Sequence, residues 1–66
     1  MNWTPVTEKM PLEYRALILS INLFGKECVI FGYYTGREFY DDDNFLIGDN
    51  EAVTAWMFKP QPYKSN

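Results

Sequence analysis

Tyr14-Arg15-Ala16-Leu17-Ile18-Leu19-Ser20-Ile21-Asn22-Leu23 is the stretch whose reading decides the fold. Its odd positions, Leu17, Leu19, Ile21 and Leu23, are all apolar, whereas the even ones, Ala16, Ile18, Ser20 and Asn22, are mixed. Successive side chains of a strand point to opposite faces, so a period of two marks a half-buried strand. The competing reading is a short helix over residues 11–23. Pro11 suits a first helical turn, and Leu, Glu and Arg favour helices.

Taken as a strand, the stretch organises the rest of the chain. Phe24-Gly25-Lys26-Glu27 is a turn in which Gly25 is free to take positive φ. Cys28–Tyr34 is rich in β-branched and aromatic residues, with Val29, Phe31 and Tyr33 on one face. Gly32, on the other face, predicts a bulge or a close backbone approach. Thr35-Gly36-Arg37 is a second tight turn, and Glu38-Phe39-Tyr40 begins a third strand. Residues 14–40 therefore read as two successive hairpins, a β-meander. Asp41-Asp42-Asp43-Asn44 breaks the sheet, Phe45-Leu46-Ile47 returns as a short edge strand, and Gly48-Asp49-Asn50 turns into a closing strand, Ala52–Phe58.

Upstream, Pro5 and Pro11 forbid a helix across residues 2–11, an irregular lead-in whose Trp3, Val6 and Met10 tuck against the sheet. Downstream, residues 59–66 form a polar, proline-containing tail that frays after Pro62. The expectation is one domain, 1–66, mainly β, with its core in 14–58. Its architecture is a small antiparallel meander or half-open barrel of four or five strands, with one short helix at most. Trp3, Pro11, Phe31 and Trp56 are its structural anchors.

A chain of 66 residues makes a marginal core. Such cores rarely supply more than about 3–5 kcal/mol without disulfides, metal or a partner chain. Cys28 is the single cysteine and cannot form an intramolecular bridge; with no histidine there is no zinc site. Stability must come from the aromatics, 18% of residues, or from self-association, which makes a homo-oligomer one expectation. Met1-Asn2-Trp3-Thr4-Pro5 lacks a basic segment followed by an apolar one. The longest apolar run, Leu17–Phe24, falls far short of the roughly 20 residues that span a membrane. A lone thiol fits a reducing cytoplasm, and Asn2-Trp3-Thr4 is then an accidental glycosylation sequon.

The net charge of −3 hides an asymmetry. Glu38, Asp41, Asp42, Asp43, Asp49 and Glu51 lie in a window without Lys or Arg, which carries −6 and leaves +3 for the rest. Direct binding to nucleic-acid phosphates is not expected, because that affinity rests on Lys and Arg displacing counterions. The acid cluster itself has three readings: a solvated loop that keeps sheet edges unpaired, a divalent-cation contact, or a surface that imitates phosphates or docks on a basic patch. A calcium loop is excluded by pattern, since Phe45 and Leu46 stand where a ligand and the turn glycine belong. Catalytic machinery is absent. There is no histidine base, Cys28 lies in an apolar strand where burial makes a thiol inert, and the four glycines form no phosphate-cradling loop. No enzyme, metal or cofactor is expected.

Tyr33, Tyr34 and Tyr40 cluster around the second hairpin with Phe39 and Arg37. Alternation sends Tyr33 and Tyr34 to opposite faces, so at least one is exposed. Tyr and Arg dominate interface hot spots, and both stack on planar ligands. The candidate partner-binding residues are Tyr33, Tyr34, Arg37, Tyr40, Asp41, Asp42 and Asp43; cross-strand packing is the competing role for the tyrosines.

The two ends of the chain carry a resemblance. Trp3, Val6, Glu8, Met10 and Pro11 fit a W-x-x-V-x-E-x-(L/M)-P opening, with Leu17-Ile18-Leu19 as the strand after it. Phe31-Gly32-Tyr33-Tyr34 and Phe39 fit the middle. Thr54, Trp56, Met57, Pro60 and Pro62 fit a T-H-W-M-P-L-P-x-P ending. Over residues 2–62 the chain resembles a family of short phage and prophage proteins of unknown function. It departs from that pattern at Ala55, where the family has histidine, and at Phe58, where it has proline, so no role of that histidine carries over.

The resemblance implies a setting, a small accessory protein of a phage or prophage acting in the bacterial cytoplasm. The expected function is a non-enzymatic one: binding and inhibiting a host protein or protein–nucleic acid complex, such as a defence system, through the acidic and aromatic surface. The alternatives are an oligomeric small-molecule binder, a sponge for nucleotide signals with a pocket around Tyr34 and Arg37, and a structural or assembly protein of the virion.

Overall fold

The structure is a computed structural model and describes residues 2–49 and 51–63. Among these residues six strands form one antiparallel sheet: β1 (Thr4–Pro5), β2 (Leu17–Leu23), β3 (Lys26–Tyr34), β4 (Phe39–Asp41), β5 (Leu46–Gly48) and β6 (Val53–Phe58). Their order across the sheet is β1-β6-β2-β3-β4-β5. No helix occurs among the described residues. Asn50 of the last turn, and Lys64–Asn66 of the tail, lie outside them.

The period of two in β2 is realised as a strand paired on both sides. Seven register pairs join it to β3, from Leu17↔Gly32 to Leu23↔Lys26, and β6 lies on its other edge. The short-helix reading of residues 11–23 is therefore corrected. β2–β5 form a meander, after which β6 returns to the free edge of β2. The sheet remains open, with β1 and β5 as its edges. The strand beyond the expected four or five is β1, hidden in the lead-in because a proline within two residues erases any alternation.

One irregularity shapes the sheet. Ala55 stands opposite Ser20 and Val53 opposite Ile21, so Thr54 is an extra residue in β6. Its hydroxyl donates to the Ser20 carbonyl at 3.1 Å, while its own carbonyl accepts from the Val6 N–H at 3.1 Å. Such a bulge bends a strand and increases its twist, and here it frees a carbonyl to hold the lead-in.

The core lies on one side of the sheet. Val6, Leu17, Leu19, Ile21, Phe39, Val53 and Trp56 form the buried cluster, flanked by Met10, Cys28, Ile30, Tyr34 and Ile47. Phe39, Leu17, Leu19 and Val53 are the largest fully buried side chains, each contributing roughly 1.5–3 kcal/mol of apolar burial. Pro11 is buried. Trp56, 5% exposed, closes the core as expected and donates from Nε1 to the Lys9 carbonyl at 2.8 Å.

Two expected anchors differ. Phe31 is 48% exposed and Trp3 38%. Leu19 pairs with Ile30 and Ile18 with Phe31, so the inward positions of β3 are Cys28, Ile30, Gly32 and Tyr34. Val29, Phe31 and Tyr33 do share one face, but it is the face turned away from the core.

Gly32 is where β3 and β4 approach. A Cβ there would collide with the Tyr40 carbonyl oxygen, so no other residue type fits in place. The expected close backbone approach is thus present, and it sets Tyr40 beside Tyr33.

Candidate binding surface

The face of the sheet opposite the core is built from the outward positions of β2, β3, β4 and β6. Register puts Met57, Ile18 and Phe31 in one row and Tyr33 beside Tyr40 in the next. Ile18, an even position of β2, is buried on this face by its neighbours in the sheet.

The tyrosine row is ordered. Tyr33 and Tyr40 stack at 5.6 Å with 13° between planes. Tyr14, from the loop before β2, stacks on Tyr33 at 6.0 Å and 25°. The Tyr33 hydroxyl donates to Asn44 Oδ1 at 2.8 Å. Aligned pairs of this kind contribute about 0.5–1.5 kcal/mol beyond burial, and three restraints on one ring hold Tyr33 in place.

Tyr14 is placed by its backbone. Its N–H donates to the Tyr34 carbonyl at 2.7 Å, and its φ is 58°. A bulky residue in the left-handed region is an outlier with an energetic cost. The neighbouring Glu13 carboxyl packs against Gly36, where a Cβ would lie 2.9 Å from it. The β3–β4 turn thereby receives the loop that carries Tyr14.

The acidic run divides into three roles. Asp41 Oδ1 accepts from the N–H groups of Asp43 and Phe45, each at 2.9 Å, so this carboxylate shapes the loop. Asp42 reaches Lys59, Nζ to Oδ2 3.8 Å, and Lys59 lies 4.4 Å over the Phe31 ring. Asp43 is exposed. Among the described residues no group of His, Cys, Asp or Glu could hold a metal ion.

Of the expected site residues, Tyr33, Tyr40 and Asp42 are gathered on this face, and Asp43 is exposed beside them in the same loop. Tyr34 is not with them: it is tilted against Phe39 at 4.7 Å and packs on the core. Arg37 is exposed in the Thr35–Glu38 turn and makes no ion pair or cation–π contact among the described residues. Tyr34 and Arg37 thus differ in setting, the one packed against the core and the other exposed in the β3–β4 turn.

The clefts lie elsewhere. One of about 360 Å³ is lined by Tyr14, Arg15, Ala16, Gly32, Tyr33 and Asp42. A second, of about 270 Å³, shares Arg15 and Ala16 with it and reaches Phe58 and Lys59. Sequence reasoning misses Tyr14, Arg15 and Lys59, because each belongs to a loop or strand end whose path alternation does not predict.

Among the described residues no helix is long and apolar enough to cross a membrane. Comparison with known proteins yields no matching family model, curated protein or solved structure.

Proposed function

We propose that this chain is a non-enzymatic binding protein that occupies and inhibits a host macromolecule through its tyrosine face and the adjoining acids. The observation that carries this reading is the rigid Tyr14–Tyr33–Tyr40 row beside the carboxylates of Asp42 and Asp43. Preordered aromatic side chains lose little entropy on binding and anchor interfaces. Exposed carboxylates at the rim favour a basic patch on the partner and speed encounter. The phage or prophage setting, the bacterial cytoplasm and a target in a defence system rest on the sequence resemblance. Of its motif residues, Val6, Pro11 and Trp56 are buried, whereas Trp3, Glu8, Pro60 and Pro62 are exposed.

The test is affinity capture from a bacterial lysate with identification by mass spectrometry. Wild type is compared with Tyr33→Thr and with the double variant Asp42→Lys/Asp43→Lys, both checked for folding. A specific partner held by wild type and released by both variants is expected. Equal retention by all three proteins counts against the reading.

A further inference from the structure

We infer that the free edge of β3, over residues 26–30, is a self-association surface. A second copy of this chain adds its own β3 there, antiparallel, and joins the two sheets into one. The inference does not rest on the host-partner reading and leaves the tyrosine face uncovered.

β3 spans nine residues, but β4 pairs only with Gly32, Tyr33 and Tyr34. The Phe31 carbonyl accepts from the Asp42 N–H at 3.2 Å, so Phe31 turns its backbone groups away from β2. Alternation turns those of Val29 and Glu27 the same way. Among the described residues neither meets a backbone partner on that side. A row of unpaired N–H and C=O groups is a template for another strand. Neither a proline nor a bulge interrupts this one, and Val29 in its middle is an apolar side chain 62% exposed.

The edge matches itself in one register. Residues turned outward must face residues turned outward, so Glu27, Val29 and Phe31 pair among themselves. Val29 opposite Val29 would set Glu27 against Phe31, where Asp42 already stands. Glu27 opposite Glu27 puts like charges together, which destabilises. What remains is Glu27 opposite Val29 of the second copy, twice about a two-fold axis, each pair exchanging both N–H···O bonds. Lys26, exposed and without an ion pair among the described residues, then stands opposite Ile30 of the second copy, one place along from that copy's acidic loop at Asp42 and Asp43. The same contact repeats across the axis. Charge complementarity of this kind selects a second copy over a foreign strand, which would need no such match. Cys28 faces Cys28 across the axis as a non-hydrogen-bonded pair, with Cα atoms about 4.5 Å apart, within the span of a disulfide. The cysteine reports the register and is not itself the site.

The experiment follows the mass of the full chain by sedimentation and light scattering at concentrations up to about 1 mM. A rise from 7.8 kDa toward twice that mass is expected, with the Glu27 and Val29 amides gaining protection from hydrogen exchange as it rises. Diamide, which takes two electrons and two protons from a pair of thiols, is expected to link Cys28 to Cys28. Val29→Glu, at an exposed position, sets Glu opposite Glu27 on both sides of the axis. It is expected to keep the wild-type circular dichroism, to weaken the dimer about tenfold or more and to slow the cross-linking. Adding Glu27→Lys to that variant restores unlike pairs and is expected to recover the dimer. A monomer at about 1 mM overturns the proposal and leaves the edge to a foreign strand. A dimer indifferent to Val29→Glu, or one that Glu27→Lys does not rescue, overturns it too. Because no host protein is present, failure here leaves the host partner to be decided by the lysate capture.

Discussion

The Trp56 indole Nε1 donates to the Lys9 carbonyl oxygen at 2.8 Å, across 47 residues of sequence. This bond fastens the lead-in over the core, next to the Val6 N–H held by Thr54. Trp56→Phe keeps most of the buried ring but leaves that carbonyl without its donor. A loss of about 2 kcal/mol is expected, read as a fall in Tm of roughly 8–16 °C. An unchanged Tm would make the bond incidental.

Gly32 sets the spacing on which the tyrosine row depends. With the Tyr40 carbonyl oxygen occupying the space a Cβ would need at this position, Gly32→Ala must push β4 away from β3. Chemical denaturation is expected to show destabilisation of at least about 2 kcal/mol. The fluorescence and NMR signature of the Tyr33–Tyr40 stack should be lost with it.

The β2–β3 connection carries a correctable defect. Phe24 and Gly25 both have positive φ, 51° and 82°, the geometry of a two-residue hairpin that favours Asn-Gly. Phe24 is fully exposed and gains nothing from its ring. Phe24→Asn should stabilise the fold by about 1 kcal/mol and raise Tm by roughly 4–8 °C.

Much of this fold is legible in the sequence because alternation is local. The odd positions of β2, the turn at Phe24-Gly25 and the strand containing Trp56 can all be placed from spacing alone. What spacing misplaces depends on partners distant in sequence. Phe31 reads as an anchor because an aromatic in a strand usually faces a core. Its actual face is set by the pairing of Ile18 with Phe31, and one residue of register reverses every side chain. β1 has only two residues, and its pairing with Trp56 and Ala55 leaves no periodic trace. The site is half legible. Tyr33, Tyr40 and Asp42 can be named from composition near the second hairpin, whereas Tyr14 arrives through a positive φ and a bond to the Tyr34 carbonyl, neither of which a sequence announces.

Three adjacent aspartates should respond differently to substitution. Asp41→Ala removes the acceptor of two backbone N–H groups and is expected to cost about 1–2 kcal/mol. Asp42→Ala breaks only a long, solvent-exposed ion pair and should change stability by less than about 0.5 kcal/mol, as should Asp43→Ala. Urea midpoints of the three variants decide the matter. Equal effects would show that the loop does not depend on Asp41.

The central claim is that the tyrosine face does the binding while Trp56 only supports the fold. It is tested most directly by quantifying partner capture from a bacterial lysate with Tyr33→Thr and Trp56→Phe side by side, at a temperature where both are folded. The account predicts that Trp56→Phe retains the partner held by wild type and that Tyr33→Thr loses it. Retention by Tyr33→Thr together with loss from folded Trp56→Phe would contradict it.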